Sequence, residues 1–384
     1  MVIDSASRPA AESARSANES SANESSASES SSASERRPPR GRADSEADDR
    51  SVAAVVEAWV TGQRHPVHRT VIFAEVDDDR VDELAGRDAS AALLVPAEAR
   101  SSGPSSAEER ARRAVGTVIE YRGRFGEIGD EITIAGRTLE LQDYAASAFL
   151  DVVGPMVVRL GDEGGWAALL DDADIVLGEG LFPAHLLHPS VLLAERDAFL
   201  AEAVGRPREP RPVVPASGGV RWAPEGPTAT AATTSPLVQA FGGVVAPERI
   251  LVDARARPWL GRYIAAIELL RRTGRGPCAE ILGLGVSLLE DEAADVVVPV
   301  DAAFLTRGTA DWLLEDLATR RRYRLSTRAA AVVEALQTSS SPERAVERCA
   351  SALGLSRASA AAHVAEIALR LGEAARSSPE AAAP

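Results

Sequence analysis

The most regular hydrophobic patterning lies near the C-terminus, from Asp295 to Leu371. Val296-Val-Val-Pro-Val300, Asp311-Trp-Leu-Leu-Glu-Asp316 and Arg320-Arg-Arg-Tyr-Arg-Leu325 carry β-branched and aromatic residues. Breaks around Gly308 and Ala318-Thr319 separate them, which predicts a meander of three strands. Apolar residues then recur at three and four spacing, which predicts three helices. The first runs from about Ser326 to Leu336, with Ser326 or Thr327 as its N-cap and Ala329, Val332, Val333 and Leu336 as its buried stripe. Ser339-Ser-Ser-Pro342 marks a turn, and Pro342 fits the first position of a second helix, Glu343 to Leu353. Gly354 supplies a left-handed stop. Ser356 or Ser359 caps a third helix whose inner face is Val364, Ile367 and Leu371. Three strands followed by three helices is the order of a winged helix-turn-helix over residues 293–372, with a short tail at 373–384.

Upstream the pattern is mixed. Val52, Val55, Val56 and Trp59 sit at helix spacing; Thr70–Val76 and Ala92–Val95 read as strands, the second closed by Pro96. Asp82–Leu84 reads as a polar turn or helix, Ser101–Ser106 as a loop and Glu108–Arg113 as a helix start. Gly116–Tyr121, Glu131–Ile134 and Thr138–Leu141 are predicted strands, the last two flanking a hairpin turn at Ala135-Gly136-Arg137. Tyr144–Val153 is predicted helical, Met156–Leu160 a strand, Trp166–Leu170 a helix and Ile175–Leu177 a strand. Val191–Leu193 with Asp197–Val204 form a strand and helix, or one helix. Residues 51–205 are therefore expected to be a mixed α/β domain. Prolines crowd Gly205–Pro227, and residues 206–235 read as a linker or long surface loop. The segment 236–292 then carries Pro236–Phe241, a strand at Arg249–Val252 and a helix over Pro258–Arg272, with Trp259, Ile264, Ile267 and Leu270 inward. Ala279–Leu289 leads into the C-terminal module. The fold class expected for the whole is α+β.

Residues 1–50 are built from Ser, Ala, Glu and Asn around the near-repeat Ser16-Ala-Asn-Glu-Ser-Ser-Ala-Asn-Glu-Ser-Ser26. With almost nothing apolar to bury, that stretch is expected to be a disordered tail, and Arg36–Arg42 a solvated patch within it. The 384-residue chain has a formal net charge of −15, which disfavours nucleic acid and anionic membranes. Its two cysteines, Cys278 and Cys349, are too few for a disulfide framework, and Cys349 reads as a small core residue. No apolar run has the length of a membrane span and no signal peptide opens the chain, which implies a cytoplasmic protein with no membrane partner.

Candidate chemistry is sparse. His65 with His68, and His185 with His188, form two H-x-x-H pairs; if they met they would hold zinc. Cysteine is absent beside them and prolines adjoin them, so they read as loop histidines and no metal is expected. Gly283-Leu-Gly285 is half of a dinucleotide fingerprint, lacking the third glycine at Leu288. Ser217-Gly-Gly219 and Gly164-Gly165 read as turns, and Asp77-Asp-Asp79 and Asp171-Asp172 as solvated carboxylates. Neither catalytic residues nor a cofactor are assigned.

The C-terminal module supports two functional readings. Ala350–Gly372 looks like the helix-turn-helix of response-regulator output domains, the DNA-binding regulator reading. Its third helix offers Ser359, Ala360, Ala361, Ala362 and His363, with only Arg357 and Arg370 basic, which is poor equipment for base contacts. The strands favour the other reading. Trp312-Leu-Leu-Glu-Asp-Leu, then Tyr323-Arg-Leu325-Ser-Thr-Arg-Ala-Ala-Ala-Val-Val-Glu-Ala-Leu336, resembles the strand–strand–first-helix core of the peptide-chaperone family of pyrroloquinoline quinone biosynthesis. That family is the prototype of the RiPP recognition element (RiPPs are ribosomally made, post-translationally modified peptides). The resemblance implies that a precursor's leader peptide adds to the third strand by β-augmentation, with side chains falling beside the third helix. It points to Arg320, Arg321, Arg322, Tyr323, Arg324 and Leu325 on the strand, with an acidic leader matching the arginines, and to Ser359, His363 and Arg370 opposite. A large Ala- and Arg-rich chain ending in such a module also resembles the recognition proteins of daptide biosynthesis. That resemblance implies delivery of the precursor to modifying enzymes such as a dehydrogenase, without catalysis. An enzyme within residues 51–290 is a third reading.

Overall fold

The computed structural model describes residues 41–76, 79–86, 88, 90–97, 117–227, 235–289 and 294–376. The tail 1–40, the loop at Ser101–Ser106, the helix start at Glu108–Arg113, Asp77 and Asp78 lie outside them. A first helix, α1 (Gly41–Thr61), begins ten residues before folded structure was expected, within the stretch read as tail. The mixed α/β sequence that follows forms one eight-stranded sheet from β1 (Val71–Ala74), β2 (Ala92–Pro96), β3 (Thr117–Gly123), β4 (Glu131–Ile134), β5 (Arg137–Asp143), β6 (Met156–Arg159), β7 (Val191–Leu193) and β8 (Val213–Val214). Its order is β7-β6-β5-β4-β3-β2-β1-β8, and every neighbouring pair is parallel except those made by β4.

Parallel strands covered on both faces are apolar throughout, and β1 is buried at all four positions. β4 and β5 are joined by Ala135 and Gly136 alone, at φ of 49° and 73°, the geometry of a primed two-residue turn. On one face of the sheet, Val55, Trp59 and Val60 of α1 share a core with Phe73, Tyr121, Leu141, Val157 and Val213. Trp59 stacks on Phe73 at 4.6 Å, and Phe73 on Tyr121 at 4.9 Å.

Laid flat, eight strands would span about 34 Å. Here the two ends are bridged instead. Glu195 follows β7; Arg208 and Arg211 precede β8; all three are buried, and Glu195 ion-pairs with both arginines. Glu195 holds a left-handed φ of 60°, a conformation a non-glycine residue keeps only when its surroundings fix it. The Pro-rich segment expected to be a linker or loop thus supplies an edge strand and two core arginines. The outer side of β8 pairs back on its own segment, where Val213 and Arg221 exchange both main-chain bonds.

The other face of the sheet carries helices. α2 (Asp79–Gly86) brings Val81 against Ile72 and Leu93. α3 (Tyr144–Ser147) is shorter than the helix expected over Tyr144–Val153, and Phe149 and Val153 beyond it are exposed. α4 (Glu163–Glu179) runs from the Asp162 N-cap to Gly180 at φ 70° and absorbs Ile175–Leu177, expected to be a strand. Three apolar residues cannot distinguish strand from helix; the wider period Trp166, Leu169, Leu170, Ala173, Val176 decides it. α5 (Arg196–Ala203) and α6 (Pro236–Phe241) pack on the same core. Arg249–Val252, also expected as a strand, lies in α7 (Pro247–Ala256), where Pro247 starts the helix and only Ile250 is buried. α8 (Leu260–Thr273) buries Ile264, Ile267 and Leu270, and Trp259 is its partly buried N-cap.

A second sheet has the order β10-β9-β11-β12-β13, from β9 (Ile281–Leu282), β10 (Gly285–Val286), β11 (Phe304–Arg307), β12 (Trp312–Glu315) and β13 (Arg322–Leu325). The first strand of its antiparallel meander is Phe304–Arg307; Val296–Val300 is irregular, with the Pro299 carbonyl accepting from the Arg262 guanidinium. Gly283 and Gly285 take φ of 82° and 75°, and a Cβ on Gly285 would stand 2.1 Å from the Gly180 nitrogen. The half-fingerprint is a close-packed turn between the sheets, with no strand-to-helix passage.

Three helices follow: α9 (Thr327–Gln337), capped by Ser326; α10 (Pro342–Ala352), capped by Ser341; and α11 (Arg357–Arg376). Trp312, Leu314, Leu325, Val333, Cys349, Val364 and Ile367 share their core. The molecule is thus mixed α and β in class. Among the described residues, no helix is long and apolar enough to cross a membrane.

Candidate functional site

β13 pairs with β12 through Trp312↔Leu325, Leu313↔Arg324, Leu314↔Tyr323 and Glu315↔Arg322. Among the described residues no strand pairs with its other side. The orientation of its backbone follows from one bond. The Asp316 amide donates to the Arg321 carbonyl at 2.9 Å, so these opposed residues are a hydrogen-bonded pair. Bonded pairs alternate in an antiparallel ladder. Leu314↔Tyr323 and Trp312↔Leu325 are then bonded pairs too, and the N–H and C=O groups of Arg322 and Arg324 point away from the sheet. The Gly308 amide donating to the Asp311 carbonyl at 2.7 Å sets β12's bonds to β11 in the complementary phase.

Side chains alternate across the same strand. Tyr323 and Leu325 face the helical core, Leu325 fully buried and Tyr323 packed against its margin. Arg322 and Arg324 face the other way, with Leu313 and Glu315. Only these two of the four arginines belong to the strand. Arg320 and Arg321 lie in the β12–β13 turn, where the Asp316 carboxylate accepts from the amides of Ala318 and Thr319 and Arg320 takes φ 57°. Arg322 is engaged by its cross-strand neighbour: its Nε donates to Glu315 Oε2 at 2.8 Å, while Arg275 lies 2.7 Å from Oε1. Arg324 is largely exposed and stands 3.6 Å from the Asp311 carboxylate.

The residues expected opposite the strand lie on α11. Ser359 and His363 are half-buried, and Arg370 donates to Glu366 at 2.7 Å. α11 packs on α9 and α10, whereas β13 meets the helical layer through α9. Tyr323 and the inner face of α11, through Val364, Ile367 and Leu371, border the same core. Ala360, expected on the outward face, is fully buried. Arg357 lies 3.6 Å from Glu347, so Arg357 and Arg370 each have a carboxylate neighbour.

The Arg324 face of the sheet opens into a cleft of about 790 Å³. The loop after α8 forms one wall with Arg275, Cys278 and Glu280, and Arg307, Asp311 and Arg324 lie across from it. Arg307, opposite Trp312 in the ladder, holds its guanidinium over that ring at 5.3 Å, on the helical face of the sheet and not on the Arg324 face. Of these residues only Arg324 was expected at a contact surface. Glu315 was legible: alternation from Trp312 and Leu314 puts it on the outer face, where a cross-strand arginine is a favoured partner. The cleft was not, because its walls are far apart in sequence.

Elsewhere, polar groups hold the fold. Arg159, at the end of β6, engages all three of its nitrogens: Glu225 at 2.7 Å, the Gly126 carbonyl at 3.0 Å and the Phe125 carbonyl at 3.4 Å. It stands where open α/β sheets bind ligands, yet each of its nitrogens already has a protein acceptor. Burial lowers the guanidinium pKa of Arg211 to about 9 and of Arg208 to about 10. His65 and His68 stack at 5.0 Å, and the amides of Val67 and His68 donate to His65 Nδ1. Burial, then the neighbouring His68, lowers the pKa of His65; burial also lowers that of His185, partly offset by Asp172. The two histidine pairs precede β1 and β7, which are not neighbours in the sheet. Among the described residues, no group of three or more His, Cys, Asp or Glu side chains is placed to hold a metal. Comparison of the chain with protein-family models, with curated proteins and with solved structures gave no match.

Proposed function

We propose that this protein captures an extended segment of a ribosomal precursor peptide along β13 and hands it to modifying enzymes, without itself catalysing a reaction. One observation carries the reading: an edge strand whose Arg322 and Arg324 present outward N–H and C=O groups beside an open face. A guest strand laid there satisfies those groups, which gives affinity, and its alternate side chains meet two different surfaces, which gives specificity. The three strands followed by three helices support the winged-helix RiPP recognition element as the framework, with daptide maturation as the pathway and a dehydrogenase among its recipients, in the cytoplasm. Arg322 and Arg324 form the main-chain contact with Tyr323 at its margin, whereas Leu325, expected among the contacts, is buried with its backbone bonded to β12 and supports the strand from within. Arg320 and Arg321 flank it in the turn, and Ser359, His363 and Arg370 form a second patch on α11. DNA binding by the same helices is the competing function, but nothing on the exposed face of α11 favours it.

The test uses proline. Arg324→Pro removes an outward N–H and leaves the ladder to β12 intact; Arg324→Ala controls for the side chain. Binding of a short fluorescein-labelled peptide alternating Glu and Val is followed by anisotropy, with a random-sequence DNA duplex as competitor. The wild type binds the peptide, R324P binds about tenfold more weakly than R324A, and the duplex does not compete. No wild-type binding, equal affinity of the two variants, or displacement by the duplex overturns the proposal.

A further inference from the structure

We infer that Arg275, in the upstream region, is a positioning residue for the guest: through Glu315 it holds Arg322 where a captured strand docks. This rests on the strand-addition reading above. The N–H and C=O of Arg322 point towards the guest, so β12 gives this residue no main-chain bond. Glu315↔Arg322 is a non-bonded pair of the ladder, the kind in which side chains approach most closely. Arg322 is therefore tied to β12 at that point by its side chain. Its Nε and Nη2 both reach Glu315 Oε2, at 2.8 and 2.7 Å.

Glu315 is buried and is fixed in turn by its other oxygen. Oε1 accepts from the Thr306 hydroxyl at 2.6 Å and lies 2.7 Å from Arg275 Nη2. Arg275 is set by a helix end. Gly274 closes α8 at φ 65°, and the Arg275 amide donates back to the Leu270 carbonyl at 3.1 Å. The upstream region also holds the β12–β13 turn: the Arg272 guanidinium donates to the Leu317 carbonyl at 3.3 Å, and the Leu317 side chain packs on the upstream core. Three charged groups thus run from the end of α8 to the edge strand, joined by charge-assisted bonds. Without Arg275, a guest meets an edge that must first be ordered, and that ordering is subtracted from its affinity.

The test is a double-mutant cycle read by anisotropy of the labelled Glu/Val peptide. Arg275→Met binds it about fivefold more weakly than wild type, and Arg275→Lys, which keeps the charge, recovers most of that loss. In an Arg322→Met background, Arg275→Met weakens binding no further, because the group it acts through is gone. Amide exchange of the free protein supplies a readout that a general loss of stability would not give: Tyr323 exchanges faster in R275M while Val333 in α9 keeps its wild-type rate. Binding of R275M equal to wild type, additive losses in the double variant, or equal acceleration at Tyr323 and Val333 overturns the inference. If any of these comes with R324P binding more weakly than R324A, strand addition survives without the link to α8. If R324P matches R324A, strand addition itself fails.

Discussion

The two sheets of this molecule treat their edges in opposite ways. The eight-stranded sheet curls until Glu195 at one end meets Arg208 and Arg211 at the other, a bridge sealed from water. The five-stranded sheet stops at a four-residue strand with arginines on its outer face and, among the described residues, no strand on the side away from β12. A buried carboxylate between two guanidiniums fixes one arrangement of the chain. An exposed, short, charged edge deters pairing with copies of itself and still leaves main-chain groups for a chosen guest. The same residue type, arginine, is a structural tie in one sheet and part of a contact surface in the other, and burial is what separates the roles.

The largest effect that sharpens this contrast comes from Glu195→Gln. It leaves two buried guanidiniums without their counter-charge, which costs about 3–5 kcal/mol. Urea unfolding followed by tryptophan fluorescence measures it, since Trp59 and Trp166 are buried on the two faces of that sheet. A loss below about 1 kcal/mol would mean the bridge does not hold the ends together. A smaller effect is expected from Tyr323→Pro, which removes a ladder bond to Leu314 and lowers stability by about 1–3 kcal/mol. Arg324→Pro, one residue further on, stays within about 0.5 kcal/mol of Arg324→Ala. Equal losses for the two prolines would contradict the assigned direction of the backbone groups.

How much of this was legible in the sequence depended on range. β1 and β6 could be read from continuous apolar runs and α9 from its period and its Ser326 cap, because those signals are local. β8 could not: two valines among prolines make a strand only because β1 offers an edge. Val296–Val300 has the composition of a strand, yet Pro299 cannot donate to a ladder, and the meander begins at Phe304. The arginine-rich stretch identified the edge but overcounted it. Register and the turn at Arg320 decide which arginines lie on the strand. The cleft was out of reach, since it joins residues 275–280 to the β11–β13 meander.

The most direct test is amide hydrogen exchange along β13, resolved by residue with and without the Glu/Val peptide. In the free protein, the amides of Arg322 and Arg324 exchange fast, and those of Tyr323 and Leu325, bonded to β12, exchange slowly. On adding peptide, Arg322 and Arg324 become protected while Tyr323 and Leu325 change little. Fast exchange at Arg322 and Arg324 in the presence of saturating peptide would contradict the account.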